Sequence, residues 1–97
     1  MNEFSNGENI IDYINQLSSV EDSLIVLDEP ETSLSLESQI KIREKLIEIS
    51  KKNQLIIITH SPVIMSLSDK IYDFNKKKYI STKDHLKYFS LVINSLK

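Results

Sequence analysis

The amino-acid sequence predicts an α/β fold, with a short parallel sheet built from a βαβ crossover and helices flanking it. The first observation is two uninterrupted apolar runs, residues 24–27 and 55–58, within the segments 23–27 and 55–59, because such runs are typical of strands buried on both faces. The second is the segment between them, residues 36–52, where apolar residues recur at helical spacing. Strand, helix and strand in this order predict two parallel neighbours joined by a right-handed crossover.

The elements follow one another without a linker or repeat. In chain order we predict a helix over 9–18, a strand over 23–27, a helix over 36–52, a strand over 55–59, a short helix over 62–67, a third short strand over 71–74, a turn over 75–78 and a closing helix from residue 82. The short helix has Ser61 as its cap and Pro62 at its first position, which are the residue types those positions favour.

Each long helix carries an apolar stripe. The first has Ile10, Ile11, Ile14 and Leu17. The longest has two neighbouring rows, which are Leu36, Ile40 and Ile47, and Ile42, Leu46 and Ile49. The closing helix has Leu86, Phe89, Ile93 and Leu96. These stripes predict that the helices pack against the sheet and one another.

Length and composition exclude several classes of protein. The chain has 97 residues, which suit a single partial domain over 1–97. The net charge of -2 does not favour nucleic-acid or membrane binding through bulk electrostatics, and the absence of cysteine excludes disulfides and thiolate metal sites. We expect a cytoplasmic protein without membrane association, because no apolar run reaches the ~20 residues of a spanning helix.

Polar clusters follow both predicted strands. Asp28 and Glu29 come after the first, and Thr59, His60 and Ser61 come after the second. Ligands of parallel sheets gather at the carboxyl ends of the strands, so these clusters are expected to share one site. The plainer alternative is that the acids cap a loop and that His60 is a hydrogen-bonded structural residue.

The residue types point to phosphoryl transfer to water. A carboxylate at the tip of a rigid strand, Asp28, is suited to Mg²⁺, which prefers hard oxygen ligands and keeps several waters. Glu29, pointing the other way along the pleat, can orient an attacking water. A neutral imidazole at His60 can contact a phosphate oxygen and stabilise developing charge.

These motifs resemble the ABC-type ATPases. "LIVLDEPE" (24–31) resembles their Walker B segment, "IIITHSP" (56–62) their switch-histidine segment, and "FSNGE" (4–8) their signature. "DEPETSLS" and "THSPVIM" are similar to the soluble branch related to chromosome-maintenance, recombination and phage-defence proteins. The fold implied is part of a P-loop NTPase domain, with residues 4–75 carrying the resemblance and 76–97 a turn and helix.

The resemblance implies a role for each matching residue. Asp28 would bind Mg²⁺, Glu29 would act on the hydrolytic water, and His60 would contact the γ-phosphate of ATP. Residues 31–35 would form the D-loop at a dimer interface, with Ser33 and Ser35 near the nucleotide. The signature residues Ser5, Asn6, Gly7 and Glu8 would address the ATP of the opposite subunit. Ser5 and Glu8 also form a capping box, and a helix N-terminus favours anions.

Two departures from that pattern matter. Ser35 stands where the D-loop often has Asp, and no G-x-x-x-x-G-K-[ST] phosphate loop occurs, Gly7 being the single glycine. The resemblance therefore covers only the C-terminal half of a nucleotide-binding domain and implies a missing N-terminal half that carries Walker A. We accordingly expect a truncated chain, a split or decayed gene product, or one piece of a two-chain ATPase.

Two other functions stay open at this point. One is a non-enzymatic remnant that acts as an interaction or regulatory module, which the missing phosphate loop favours. The other is a metal-dependent nuclease of the Toprim type, which also places acids after strands but wants an Asp-x-Asp that is lacking here. The residues do not identify a DNA, RNA or protein target. Loss of an upstream half should uncover apolar surface and favour a homodimer or other self-association.

Overall fold

The structure is a computed structural model that describes residues 7–97. It divides into two compact units, the first ending at Ile64 and the second comprising Met65–Lys97. Each unit is described by itself, and the prediction of a single domain over 1–97 stays a prediction. Among the described residues, no helix is long and apolar enough to cross a membrane.

The first unit contains the predicted βαβ crossover. Its elements are α1 (Gly7–Gln16), a 3₁₀ turn (Leu17–Ser19), β1 (Leu24–Asp28), α2 (Leu36–Ser50), β2 (Gln54–Ile58) and the short α3 (Pro62–Met65), whose last residue belongs to the second unit. The two strands are hydrogen-bonded neighbours and run parallel, with Leu24 opposite Gln54 and Asp28 opposite Ile58. The α/β class and the short parallel sheet are therefore confirmed.

The core of this unit lies between the helices and one face of the sheet. Helix α1 packs against α2. The buried apolar residues of the unit are Ile10, Ile14, Leu17, Ile25, Leu27, Ile42, Leu46, Ile49 and Ile64. Of the two apolar rows on α2, the row with Ile42 forms the core, while Leu36 and Ile40 remain exposed.

The other face of the sheet is open, which contradicts the expectation of strands buried on both faces. Burial alternates along β1, so that Leu24 and Val26 are 60% and 57% exposed. Ile56 and Ile58 of β2 are 46% and 40% exposed. We call these four residues the open face. The run of apolar residues correctly predicted strands, but no helix of this unit covers their second side.

The second unit is a hairpin followed by a helix. Strand β3 (Lys70–Asp73) pairs antiparallel with β4 (Lys78–Ser81), and α4 (Thr82–Ser95) follows directly. The predicted third strand, turn and closing helix are present, but β4 was not predicted because its short sequence KYIS alternates weakly. On α4 the predicted stripe is largely uncovered, with Leu96 76% exposed.

Candidate functional site

The carboxyl ends of β1 and β2 bring the two polar clusters to one edge of the sheet. Asp28, the last residue of β1, lies opposite Ile58, the last residue of β2. Adjacent parallel strands are ~4.8 Å apart, so the segments that follow them must be neighbours. The predicted adjacency of the strands is thus confirmed, and Asp28 is exposed at the tip.

Glu29 leaves the strand with an unusual backbone. Its φ of 49° lies in the left-handed region, which costs a non-glycine residue about 1–2 kcal/mol. The Glu29 N–H donates to the Ile58 carbonyl at 2.7 Å, which ties the strained residue to the end of β2. The sequence predicts that the Glu29 side chain continues the alternation of the pleat. It does not, because this turn sets its direction.

The Glu29 carboxylate meets the imidazole of His60. Its Oε1 lies 2.7 Å from His60 Nδ1, with the His60 side chain 85% and the Glu29 side chain 46% exposed. An ionised carboxylate only accepts hydrogen bonds, so Nδ1 carries the proton in this contact. In a neutral ring Nε2 is then an acceptor, whereas in a protonated ring Nε2 donates as well. The open ring edge can therefore accept from water or, when protonated, donate to an anion.

Glu31 bridges the two strand ends. Its Oε1 accepts a hydrogen bond from the Thr59 hydroxyl at 2.7 Å, and its Oε2 accepts one from the His60 backbone N–H at 2.9 Å. The sequence assigned this residue only to the D-loop. The predicted parallel pairing could have indicated this bridging role. With Asp28 opposite Ile58, residues 31 and 59–60 follow the ends of neighbouring strands at the same edge of the sheet.

The predicted D-loop residues lie in the turn before α2. Ser33 has a left-handed φ of 68° and is exposed. Ser35 caps α2 through its hydroxyl, which accepts from the Ser38 N–H at 3.2 Å. Ser35 therefore has a helix-capping role, which suits the serine that replaces the usual Asp. Their contacts with a nucleotide or second subunit stay predictions.

Gln39 of α2 joins the predicted D-loop segment to the loop after β2. Its Nε2 donates to the Leu34 carbonyl at 3.2 Å, and its Oε1 accepts from the Ser61 hydroxyl at 2.6 Å. Ser61 is buried, and its hydroxyl also accepts from the Ile64 N–H, as the predicted cap of α3 should. The sequence did not single out Gln39, because a glutamine on a helix carries no distinctive pattern.

The signature residues fall at the start of the described chain. Ser5 and Asn6 lie outside the described residues, and so does the predicted capping bond between Ser5 and Glu8. Gly7 and Glu8 are the first two residues of α1. Their contribution to a nucleotide of another subunit stays a prediction.

Two sets of possible ligand atoms for a cation lie at this edge. Asp28 offers an exposed carboxylate, which fits a hydrated Mg²⁺ that takes one or two carboxylates and otherwise waters and phosphates. Glu29, Glu31 and His60 each offer one ligand atom, and these atoms lie within 4.8 Å of one another. The second set is already joined by hydrogen bonds among its own members and Thr59. The Mg²⁺ role of Asp28 stays a prediction.

Comparison with known proteins identifies a matching family and similar sequences. Residues 2–66 match the family described as "AAA domain, putative AbiEii toxin, Type IV TA system". The chain is 40% identical over 52 residues to the DNA repair protein RecN of Aquifex aeolicus. It is 36% identical over 61 residues to an uncharacterized ABC transporter ATP-binding protein of Haemophilus influenzae. No solved structure matches the chain significantly.

These alignments cover only part of each relative. They include 54% of this chain and 10% of the RecN protein, and 62% of this chain and 23% of the Haemophilus protein. The chain thus spans about a tenth to a quarter of the curated relatives it matches. Both alignments support the resemblance to ABC-type ATPases.

Proposed function

Since the chain belongs to the AAA-domain family that matches residues 2–66, we propose that it forms the catalytic half of an ATP-binding and ATP-hydrolysing domain of ABC type. In this proposal it supplies the Walker B, D-loop and switch-histidine segments. A second half, not contained in these 97 residues, supplies the phosphate loop.

The contact between Glu29 and His60 is the observation that carries the proposal. Parallel pairing of β1 and β2 leaves the carboxylate and the ring 2.7 Å apart at the edge where such sheets bind ligands. A general base needs a carboxylate or imidazole within hydrogen-bond reach of a water, and both groups are open to solvent here. An acid pair that merely capped a loop would not require this histidine.

Each group has one step in the proposed reaction. Asp28 would hold Mg²⁺, which neutralises phosphate charge when bound. Glu29 orients the attacking water and accepts its proton. His60 donates from Nε2 to the γ-phosphate, which requires the protonated ring and not the neutral imidazole expected from the sequence, because Nδ1–H is already bound to Glu29. This arrangement uses all three side chains at one edge.

The open face supports the second half of the proposal. Leu24, Val26, Ile56 and Ile58 present a contiguous apolar surface on two strands, and exposed patches of this kind usually mark an interface. We propose that the half with the phosphate loop packs against this face. Dimer closure then brings the signature residues Ser5, Asn6, Gly7 and Glu8 to the ATP of the opposite subunit, with Ser33 and Ser35 of the D-loop beside it. The cytoplasmic location stays part of this proposal.

The test is ATP turnover by the chain combined with a second half that carries Walker A, encoded beside it or taken from a relative. Glu29→Gln keeps the shape of the side chain but cannot accept a proton, so it should slow hydrolysis by roughly 10²-fold or more while ATP remains bound. Asp28→Asn should instead raise the Mg²⁺ concentration needed for turnover.

Glu48→Gln is the matched control, because Glu48 is an exposed acid in the last turn of α2, far along the helix from the strand tips. It should leave turnover unchanged. The 97-residue chain alone should show neither turnover nor micromolar ATP affinity, since backbone N–H groups and a lysine of the phosphate loop provide most phosphate binding. Unchanged turnover in both Glu29→Gln and Asp28→Asn would make the acid pair structural, and tight ATP binding by the chain alone would contradict the two-part domain.

A further inference from the structure

We propose that Glu31 is a positioning residue that clamps the end of β2 to the loop after β1 and thereby holds His60 against Glu29. Its partly buried carboxylate uses one oxygen for the Thr59 hydroxyl and the other for the His60 backbone N–H. Two hydrogen bonds to one ionised group fix both its position and its orientation. Glu31 does not need to touch a substrate for this role.

The clamp matters because little else restrains His60. The ring is 85% exposed and is held by its 2.7 Å contact with Glu29. The ring can keep this contact only while the His60 backbone stays at its place beside Glu29. The Glu31 bond to the His60 N–H lies one residue beyond Thr59, where β2 pairing has already ended at Ile58. It therefore replaces a ladder bond that the sheet no longer provides.

Thr59 extends the clamp into the next loop. Its hydroxyl donates to Glu31 Oε1 and accepts from the Ser61 N–H at 3.0 Å. Three consecutive residues after β2 are thus linked to one carboxylate, directly or through a single hydroxyl. A bond chain of this kind polarises its members and strengthens each of them. An acid that was merely solvated at the surface would make none of these bonds.

The geometry also explains why an acid stands at this position. An ionised carboxylate has only acceptor sites, which match one hydroxyl donor and one N–H donor. A glutamine offers a single acceptor oxygen and would have to meet the Thr59 oxygen with its amide N–H. Glu31→Gln should consequently preserve the bond to His60 and weaken the bond to Thr59, whereas Glu31→Leu removes both at similar size.

The experiment is nuclear magnetic resonance of the ¹⁵N-labelled 97-residue chain. In Glu31→Leu the His60 amide should lose its hydrogen-bond protection, with exchange faster by about tenfold or more, as for an amide opened to water. The His60 ring nitrogens should shift toward the values of a solvated imidazole, while those of His85 in the second unit stay unchanged. Glu31→Gln should restore most of both signals.

Unchanged resonances of the β1 and β2 amides would show that the variant is folded. If Glu31→Leu unfolds, Glu31→Gln still tests the clamp through the bond to Thr59. A folded Glu31→Leu chain with an unchanged His60 amide and ring would overturn the clamp. Equal loss in Glu31→Gln and Glu31→Leu would overturn the acceptor geometry on which it rests. Thr59→Val should give a smaller change than Glu31→Leu, because the bond to the His60 N–H survives.

The catalytic consequence of the clamp rests on the proposed function, but the resonance experiment needs no nucleotide. In the combined ATPase, Glu31→Leu should lower kcat by about tenfold or more with a smaller change in KM, because it misplaces groups that act in the transition state. Absence of any turnover in the unsubstituted complex would contradict the proposed function and leave the clamp to be judged by the His60 signals alone.

Discussion

The two faces of β1 have the same chemistry and opposite surroundings. Ile25 and Leu27 are 8% and 4% exposed beneath the helices, whereas Leu24 and Val26 are 60% and 57% exposed. Both pairs are large aliphatic residues of the same five-residue strand. The difference teaches that an uninterrupted apolar run identifies a strand but does not show which of its sides the chain buries.

Helix α2 repeats the same contrast. Ile42 and Leu46 are fully buried, while Leu36 and Ile40, on the neighbouring row, are 63% and 46% exposed. Apolar side chains left in water gain none of the transfer free energy that stabilises a core. We therefore expect stability to come from one side of each element and association to come from the other.

The largest expected effect compares two leucines of the same strand. Leu27→Ala removes a buried side chain and should lower the free energy of unfolding by about 2–5 kcal/mol, since it combines a lost transfer term with a cavity. Leu24→Ala, on the open face, should change it by less than about 1 kcal/mol. Chemical denaturation of both variants at low protein concentration measures the difference. Similar losses at both positions would mean that the open face is covered in solution by the chain or by a copy of it.

A smaller effect is expected on self-association. Val26 and Ile56 lie opposite each other in the sheet and are both exposed. Replacing both by Thr keeps the β-branch but adds hydroxyls, and a buried side chain contributes roughly 1.5–3 kcal/mol, so the dissociation constant of the oligomer should rise by about tenfold or more. Light scattering or sedimentation measures it.

Leu36→Gln is the control, because Leu36 is 63% exposed on α2 and lies off the open face. It should leave association unchanged while the Thr pair reduces it. Equal association in the Thr pair and the unsubstituted chain would show that the sheet face is not the contact surface and would direct attention to the apolar residues of α4.

Much of the fold could be predicted because periodicity and order are local properties. The apolar runs predicted β1 and β2, and the polar residue after each predicted their shared edge. Strand β4 was missed because four residues with a single partly buried apolar side chain, Ile80, carry little alternation. The open face was missed because coverage depends on what packs against a strand, which the strand's own sequence does not record.

The candidate site was predictable in its residue types and not in its bonds. Asp28, Glu29 and His60 stood out by their places after the strands, and the structure brings Glu29 and His60 into contact. The left-handed backbone of Glu29 could not be predicted, since among residue types only glycine and a few others commonly adopt positive φ. The roles of Glu31 and Gln39 depend on partners about 20 to 30 residues away in sequence, so local patterns do not show them.

The β3–β4 hairpin contrasts with β1 and β2 because local contacts stabilise it more than burial does. Tyr72 packs edge-on against Tyr79 across the strands, with ring centroids 5.2 Å apart, although the two residues are 45% and 69% exposed. In the turn, Asp73 Oδ1 accepts from the backbone N–H groups of Asn75 and Lys76 at 2.8 and 3.0 Å. A hairpin held in this way should respond to the charge of one carboxyl group.

The smallest expected effect is therefore a pH dependence confined to that hairpin. The Lys76 backbone N–H holds the pKa of Asp73 below its ordinary value, aided by the Asn75 N–H and by the positive charges of Lys76 and His85 and opposed by desolvation. Because the folded form has the lower pKa, its stabilisation is fully present above the unfolded pKa of about 3.9 and is lost as the pH falls through the folded value. Between pH 6 and pH 2 the Tyr72 and Tyr79 resonances should move toward unfolded positions.

Asp73→Asn, which keeps an acceptor oxygen but has no charge to lose, should remove this pH dependence. Movement of the same resonances in Asp73→Asn would assign the effect to other carboxyl groups, and the hairpin would then depend on more than its turn.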